Sequence, residues 1–443
     1  MLRDRCPESQ DLSGGETKLH LTKEAFRLGV WTMQMWEDVM RAGAEVKASD
    51  IFWKPGGAPR AKLKGVVELA PGGPWPDLEP EDTEFMAKSL MLREGDWERF
   101  LDFPEKDIGK TIEGVCRLRI NIYRERGNVC AVMRIIPLDI LTCDELDHPP
   151  VLKDIAMRPQ GMVLVTGPTG CGKSTTLAAM IDHINRNRKA NIITVEDPIE
   201  YVHRDRNSIV SQREVGIDTR EFQDALKYAM RQAPDVILIG EMRDVTTMGV
   251  AMQAAETGHL VFSTVHTTSA AETLERIVNM FPPHDKQQIC MRLSRTLQGV
   301  ISQSLVPRKE GTGRIAAMEI MVVTPTIQKF IEEGKPSEMY DAIVEGSHWG
   351  MMTKNQSLLY LYRDGIITAD TAMFYAGNRT EMRQMIRRLD GERADAEAAA
   401  RKKAEEEARL RRARQRAAGP VRPGQPGEGA EAGAPPPPPP SSE

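Results

Sequence analysis

Between residues 116 and 136 polarity alternates with a period of two. Cys116, Leu118, Ile120 and Ile122 are apolar, and Arg117, Arg119 and Asn121 lie between them, the pattern of a half-buried strand. After Arg124–Gly127 a second strand reads Val129–Ile136, so the pair predicts a hairpin of an antiparallel sheet. Upstream, Phe26, Leu28, Val30, Trp31, Met35 and Val39 predict a helix from about Leu21 to Ala44. A short extended stretch, Asp50–Trp53, and a Pro/Gly-rich turn at Pro55–Pro59 follow it. Residues 21–140 therefore read as a small α+β domain, preceded by a loose polar segment, 1–20, and followed by a linker, 141–148, that ends at Pro149-Pro150.

From Gly161 the pattern changes. Short apolar strands are predicted at Met162–Thr166, Asn191–Val195, Val236–Ile239 and Leu260–Thr264. Helices are predicted between them at Lys173–Asn185, Arg220–Arg231 and Val245–Thr257. Strands alternating with helices imply βαβ units and a parallel sheet covered on both faces. Residues 269–390 read as mainly helical, completing a domain over 149–390. Residues 391–417 are rich in Ala, Glu, Arg and Lys with pairs such as Glu397/Arg401 and Glu405/Arg409, which predicts a solvated helix. Residues 418–443 end in Pro435–Pro440 and are expected to be disordered with polyproline character.

Length and composition narrow the classes. A chain of 443 residues has room for about three domains and can bury a core without staples. No apolar run approaches the roughly 18 residues of a membrane span, and the first residues form no signal-peptide segment, so a cytoplasmic location is expected. A net charge of −5 gives no general field for nucleic acid. The six cysteines are scattered without a C-x-x-C pair, which argues against a disulfide framework or a zinc ribbon.

The clearest chemistry is Gly167-Pro168-Thr169-Gly170-Cys171-Gly172-Lys173-Ser174, a full G-x-x-x-x-G-K-[ST] between a predicted strand and a predicted helix. Glycines let backbone N–H groups turn inward around phosphate oxygens, and the helix start adds positive potential. Lys173 would bring an ammonium to the β/γ-phosphates of ATP, and Ser174 a hydroxyl to Mg²⁺. Thr175 continues the loop, and Cys171 reads as a small filler with a redox-sensitive thiol as the alternative. Asp235–Glu241 is an apolar strand ending in an acid, which would set Glu241 at the carboxyl edge of the sheet beside the metal. Past the strand Asn191–Val195 stand Glu196, Asp197 and Glu200; one of them would orient or deprotonate water, and spacing does not choose among them. His259 and His266 flank the strand Leu260–Thr264, where an imidazole could report nucleotide state.

Together these segments resemble a family. The order of phosphate loop, Thr194–Tyr201 (TVEDPIEY), Asp235–Asp244 (DVILIGEMRD) and Ala255–Thr268 (AETGHLVFSTVHTT) is similar to the secretion ATPase superfamily, and within it to the PilT/PilU-type retraction ATPases of type IV pili. Ala48–Ile51 and Arg117–Asn121 resemble that family's PAS-like domain. The resemblance implies a PAS-like α+β domain followed by a RecA-like ATPase domain with a helical C-terminal part. It implies Glu200 as the catalytic glutamate, Glu241 as the Mg²⁺-side glutamate and His266 as the histidine-box residue, with His259 its weaker neighbour. Arginines of the N-terminal domain are expected at the nucleotide, with Arg119 and Arg134 the candidates. It implies a homohexamer at the cytoplasmic side of the inner membrane, acting on a platform protein of the pilus base, with a paralogous retraction ATPase as a possible companion.

The sequence departs from the pattern in two places. The four-cysteine zinc insertion of extension and secretion ATPases is absent after the histidine box, which favours retraction over assembly or type II secretion. The segment matching the retraction motif AIRNLIRE, Thr326–Glu333, lacks its arginines, and Arg231–Pro234 is closer to PilU than to PilT. A RecA-like nucleic-acid motor is the remaining alternative, disfavoured by the acidic balance and the lack of a basic, aromatic-rich segment.

Overall fold

A computed structural model describes residues 31–417 except 64, 93 and 312. The expectations for residues 1–20 and 418–443, and for the first turns of the helix predicted from Leu21, lie outside the described residues. Two compact units result, one ending at Met382 and one beginning at Arg383.

The first unit holds two sheets. Strands β1 (Asp50–Trp53), β2 (Arg60–Leu63), β3 (Val66–Leu69), β4 (Glu105–Ile112), β5 (Cys116–Glu125) and β6 (Asn128–Pro137) form an antiparallel sheet in the order β3-β2-β1-β6-β5-β4. The predicted hairpin is β5–β6, with Arg119 opposite Arg134 in register. The helix Met33–Glu45 starts where the Thr32 hydroxyl accepts from the Met35 amide. With the helix Pro80–Leu90 it contributes to an apolar core in which Trp36, Ile51, Leu118, Ile120, Ile122 and Met133 are almost fully buried. Each such side chain contributes about 1.5–3 kcal/mol of transfer free energy. Because side chains alternate, Arg117, Arg119 and Asn121 stand on the other face.

The second sheet contains β7 (Gly161–Thr166), β8 (Asn191–Glu196), β9 (Ile209–Glu214), β10 (Val236–Ile239), β11 (Leu260–Val265), β12 (Leu297–Pro307) and β13 (Arg314–Val322), ordered β13-β12-β7-β11-β10-β8-β9. Every neighbouring pair is parallel except β12–β13. All residues of β7, β10 and β11 are buried, as in a sheet covered on both faces. The helices Lys173–Asn187, Phe222–Ala229 and Val245–Glu256 occupy the predicted connections.

Residues 269–390 are not simply helical. The strands β12 and β13 run through them and extend the sheet beyond β7. Most of β12 is buried on both faces, so it lacks the alternation that marks a half-exposed strand. The helices Ala270–Met280, Lys286–Thr296, Pro325–Glu332, Met339–Glu345, Lys354–Arg363 and Ala369–Tyr375 make up the helical remainder. The charged helix also begins earlier than composition indicates, running unbroken over Arg379–Ala417.

Candidate active site

The loop 167–172 leaves the buried end of β7 and turns directly into the helix Lys173–Asn187. Gly167, Gly170 and Gly172 adopt φ of +143°, +77° and +89°, a region disfavoured for L side chains. A Cβ on Gly167 would lie 2.4 Å from the Gln303 carbonyl oxygen and 2.5 Å from Cys171 Sγ, so this turn has no room for any other residue. Lys173 is nearly buried, and its ammonium donates to the carbonyls of Gly167 (2.8 Å) and Pro168 (3.2 Å). The Cys171 thiol is buried and desolvation pushes its pKa up, which fits a filler and not a reactive thiol.

The loop is braced from β12, one of the strands that the sequence pattern does not show. Gln303 donates from Nε2 to the Cys171 carbonyl (2.7 Å) and accepts at Oε1 from the Thr176 hydroxyl (2.9 Å). The same hydroxyl lies 3.0 Å from His148 Nε2, and burial holds that imidazole at a pKa of about 4, hence neutral. Thr175 pairs with the Tyr201 hydroxyl at 2.8 Å, tying the loop to the acidic segment.

A cleft of about 680 Å³ opens over this loop. Thr169, Gly170, Gly172, Lys173, Ser174 and Thr175 form its floor, and Glu196, Asp197, Glu200, Glu241, Arg243 and His266 border it from the carboxyl ends of β8, β10 and β11. Arg119 and Arg134 line it from the antiparallel sheet. Arg134 also pairs loosely with Asp50 at 3.3 Å. A second cavity of about 270 Å³ adjoins Gly172, Thr175 and Thr176 and is walled partly by Leu141, Leu146, Leu305 and Ile315. Such an apolar flank beside a phosphate cradle suits a nucleobase.

The three acids after β8 differ in environment. Glu196 accepts at Oε1 from the Thr194 hydroxyl (2.6 Å) and Gln212 Nε2 (3.1 Å), and burial pushes its carboxyl above the usual range. Asp197 is exposed and joined to Pro198 by a cis bond. Glu200 is half-buried at the cleft wall. Glu241 is gripped by the Arg243 guanidinium, which holds its carboxyl below the usual range, and its Oε1 lies 3.7 Å from His266 Nε2. Desolvation, with the Lys173 charge adding to it, lowers the His266 pKa and keeps the ring neutral near pH 7. His259 sits at the opposite end of β11, where Nδ1 meets the Ala254 carbonyl (2.9 Å) and the Thr257 hydroxyl (3.2 Å). It closes the turn after the helix Val245–Glu256 and does not border the cleft.

Comparison with known proteins identifies the family. The model of the Type II/IV secretion system protein family matches residues 116–361. The type IV pilus retraction ATPase PilT of Pseudomonas aeruginosa is 43% identical over 337 residues, 76% of this chain and 96% of the relative. The type IV pilus ATPase PilU of the same organism is 39% identical over 352 residues, 80% and 91% of the two chains. A crystal structure of the pilus retraction motor PilT with bound ADP superposes with a TM-score of 0.73 at 41% identity, covering 78% of this chain and 98% of that one. The chain belongs to the PilT/PilU-type ATPases of the Type II/IV secretion family.

As a PilT/PilU-type ATPase it uses a nucleotide, and the cleft suits one. The Gly167 turn admits no side chain, and a nearly buried ammonium stands at the floor. The cleft lining includes the Ser174 hydroxyl and the Glu241 carboxylate, hard oxygens of the kind that could hold Mg²⁺. Among the described residues no three of His, Cys, Asp and Glu cluster as a metal cage. Mg²⁺ is usually held in this way, by one or two protein groups together with phosphates and water. The segment matching AIRNLIRE forms the helix Pro325–Glu332, capped by the Thr324 hydroxyl.

Proposed function

We propose that this chain is an ATP-hydrolysing motor subunit that powers retraction of type IV pili. The observation that carries this reading is convergence: the phosphate loop, two strand-end glutamates and two arginines of the N-terminal sheet open on one cleft. Backbone amides of 167–173 cradle the phosphates, and Lys173 exchanges its loop carbonyls for the β/γ-phosphate oxygens. Ser174 and Glu241 would hold Mg²⁺, which would supply positive charge against the phosphates. Glu200 orients and deprotonates the attacking water. Neutral His266 has one N–H to give, to the γ-phosphate or to a catalytic carboxylate, so which of the two it takes senses whether the γ-phosphate is there. Arg119 and Arg134 reach the phosphates from the other side and draw the N-terminal domain over the loop; loss of the γ-phosphate contacts releases it.

In this reading residues 21–140 and 149–390 are two domains hinged at 141–148, and six chains close a ring through heterologous contacts. The ring works on a platform protein at the cytoplasmic face of the inner membrane, and not on nucleic acid. Among the described residues no helix is long and apolar enough to cross a membrane. A second reading, an accessory subunit beside a paralogous retraction ATPase, is favoured by the missing arginines in 326–333.

The test is pilus retraction in cells carrying Lys173→Ala or Glu200→Gln as the sole copy, with phosphate release measured on the purified chains. Normal activity in either variant sinks the site assignment. Negligible turnover of the purified wild type selects the accessory reading.

A further inference from the structure

The sequence marked Arg119 and Arg134, but the most constrained arginine of the N-terminal sheet is Arg117. It shares the Arg119 face of β5, and its side chain is only 13% exposed. All three guanidinium nitrogens are engaged. Nη2 donates to Glu214 Oε2 at 2.5 Å, Nε to the Ile199 carbonyl at 2.9 Å and Nη1 to the Thr111 hydroxyl at 3.2 Å. Glu214 is 5% exposed, and its Oε2 also accepts from the Ile199 amide at 3.1 Å. Both polar groups of the Ile199 backbone are thus held by one ion pair, and the next residue is Glu200. Glu214 is itself fixed, because its amide donates to Asp218 Oδ2 (2.9 Å) and its carbonyl accepts from the Asp218 amide (2.8 Å). Gly109 makes room for the pair: a Cβ there would lie 2.7 Å from Arg117 Nη2 and 3.1 Å from Glu214 Oε1.

A buried ion pair is weak evidence for stability, because desolvating the two charges offsets their attraction. Its geometry suits register better. Glu214, Gln212 and Thr175 also hold this segment from the parallel sheet and the phosphate loop. Among the described residues the Arg117 contact alone runs from the antiparallel sheet to the backbone next to Glu200, so docking of that sheet adds the last restraint.

We propose that Arg117 is a positioning residue that makes the placement of Glu200 conditional on docking of the N-terminal sheet. The inference rests on the hydrolytic reading above for its consequence, though not for its geometry. Closure of the sheet then does two things at once: it brings Arg119 and Arg134 to the cleft and locks the acidic segment. An open chain has a loose general base and does not hydrolyse nucleotide wastefully.

The test compares full-length wild type, Arg117→Ala, Arg117→Lys and Gly109→Ala. Three quantities are read: amide hydrogen exchange of residues 197–202 without nucleotide, affinity for a fluorescent Mg-ATP analogue, and kcat for phosphate release. In Arg117→Ala, exchange of 197–202 is expected to rise about tenfold or more as local opening becomes easier. A misplaced base costs about 10- to 100-fold in kcat, whereas affinity should stay within about twofold because no binding contact is removed. Lysine keeps the charge but not the forked geometry, so Arg117→Lys should fall between. Gly109→Ala should show the same split without removing the arginine, which keeps the test valid if Arg117→Ala fails to fold.

Unchanged exchange with affinity lost more than tenfold would make Arg117 a nucleotide contact and overturn the proposal. Unchanged exchange with unchanged kcat would overturn it too. Because exchange is read without nucleotide, it judges Arg117 independently. A wild type that neither binds the analogue nor releases phosphate would sink the functional reading alone.

Discussion

The two sheets of the first unit place their polar residues by different rules. In the antiparallel sheet one face is core and the other lies outside that core, so chemistry sits along a strand: Arg117 and Arg119 on β5 and Arg134 on β6. In the second sheet β7, β10 and β11 are buried on both faces, and they carry no charged side chain, only the buried hydroxyls of Thr166, Ser263 and Thr264. Their chemistry is pushed to the carboxyl ends, where Gly167, Glu241 and His266 follow β7, β10 and β11. The cleft forms where the face of one sheet meets the strand ends of the other. A site built in this way is complete only when the two sheets are apposed, and a motor can use that condition.

The largest expected effects test whether both sheets have true cores. Phe262 at the middle of β11 is fully buried, and Phe262→Ala should cost about 3–5 kcal/mol in denaturant unfolding. Ile120→Ala in the antiparallel sheet should cost about 2–5 kcal/mol. A loss below about 1 kcal/mol in either would deny that sheet its core. Next comes the strand-end site: Lys173→Ala should lower phosphate release about 100-fold or more with the circular dichroism spectrum unchanged.

A third prediction uses histidine, which the antiparallel sheet, residues 50–137, lacks altogether. His148 and His203 are buried, and desolvation depresses both to about 4 from an ordinary 6.5. Between those pH values the unfolded chain binds more protons than the folded one, so stability falls as pH drops from 6.5 to 4. The slope is up to about 1.4 kcal/mol per pH unit for each imidazole. Glu196 and Glu319, whose carboxyls burial raises, act in the opposite direction. The comparison that isolates the imidazoles is therefore wild type against His148→Gln and His203→Gln, each of which should flatten the profile. An unchanged slope in both would show that these rings are not held neutral.

The smallest effect sharpens the contrast most. Arg134 is 63% exposed, so Arg134→Ala should change stability by no more than about 0.5 kcal/mol. Its effect should appear in nucleotide turnover instead. A large loss of stability with normal turnover would return Arg134 to a structural role.

Much of this was readable from local pattern. The β5–β6 hairpin, the strands β7, β8, β10 and β11 and the helices between them follow from alternation and apolar runs. The phosphate loop follows from spacing, and the family's segments pointed to Glu200, Glu241 and His266. These are local properties: periodicity records which face of an element is wet, and a glycine-rich turn needs its residues in one order.

Other features belong to tertiary structure alone. β12 carries no visible period because both its faces are buried, and so Gln303, which braces the phosphate loop, went unseen. The acids Glu196, Asp197 and Glu200 are equivalent in spacing; the resemblance singled out Glu200, and only the structure shows what surrounds each. His259 and His266 flank one strand, and the fold shows that His266 lines the cleft while His259 closes a turn at the far end. Arg117 and Glu214 are 97 residues apart, and nothing along the chain announces that they meet. Burial, partner and direction are set by which surfaces come together, and chain-local pattern holds no record of that.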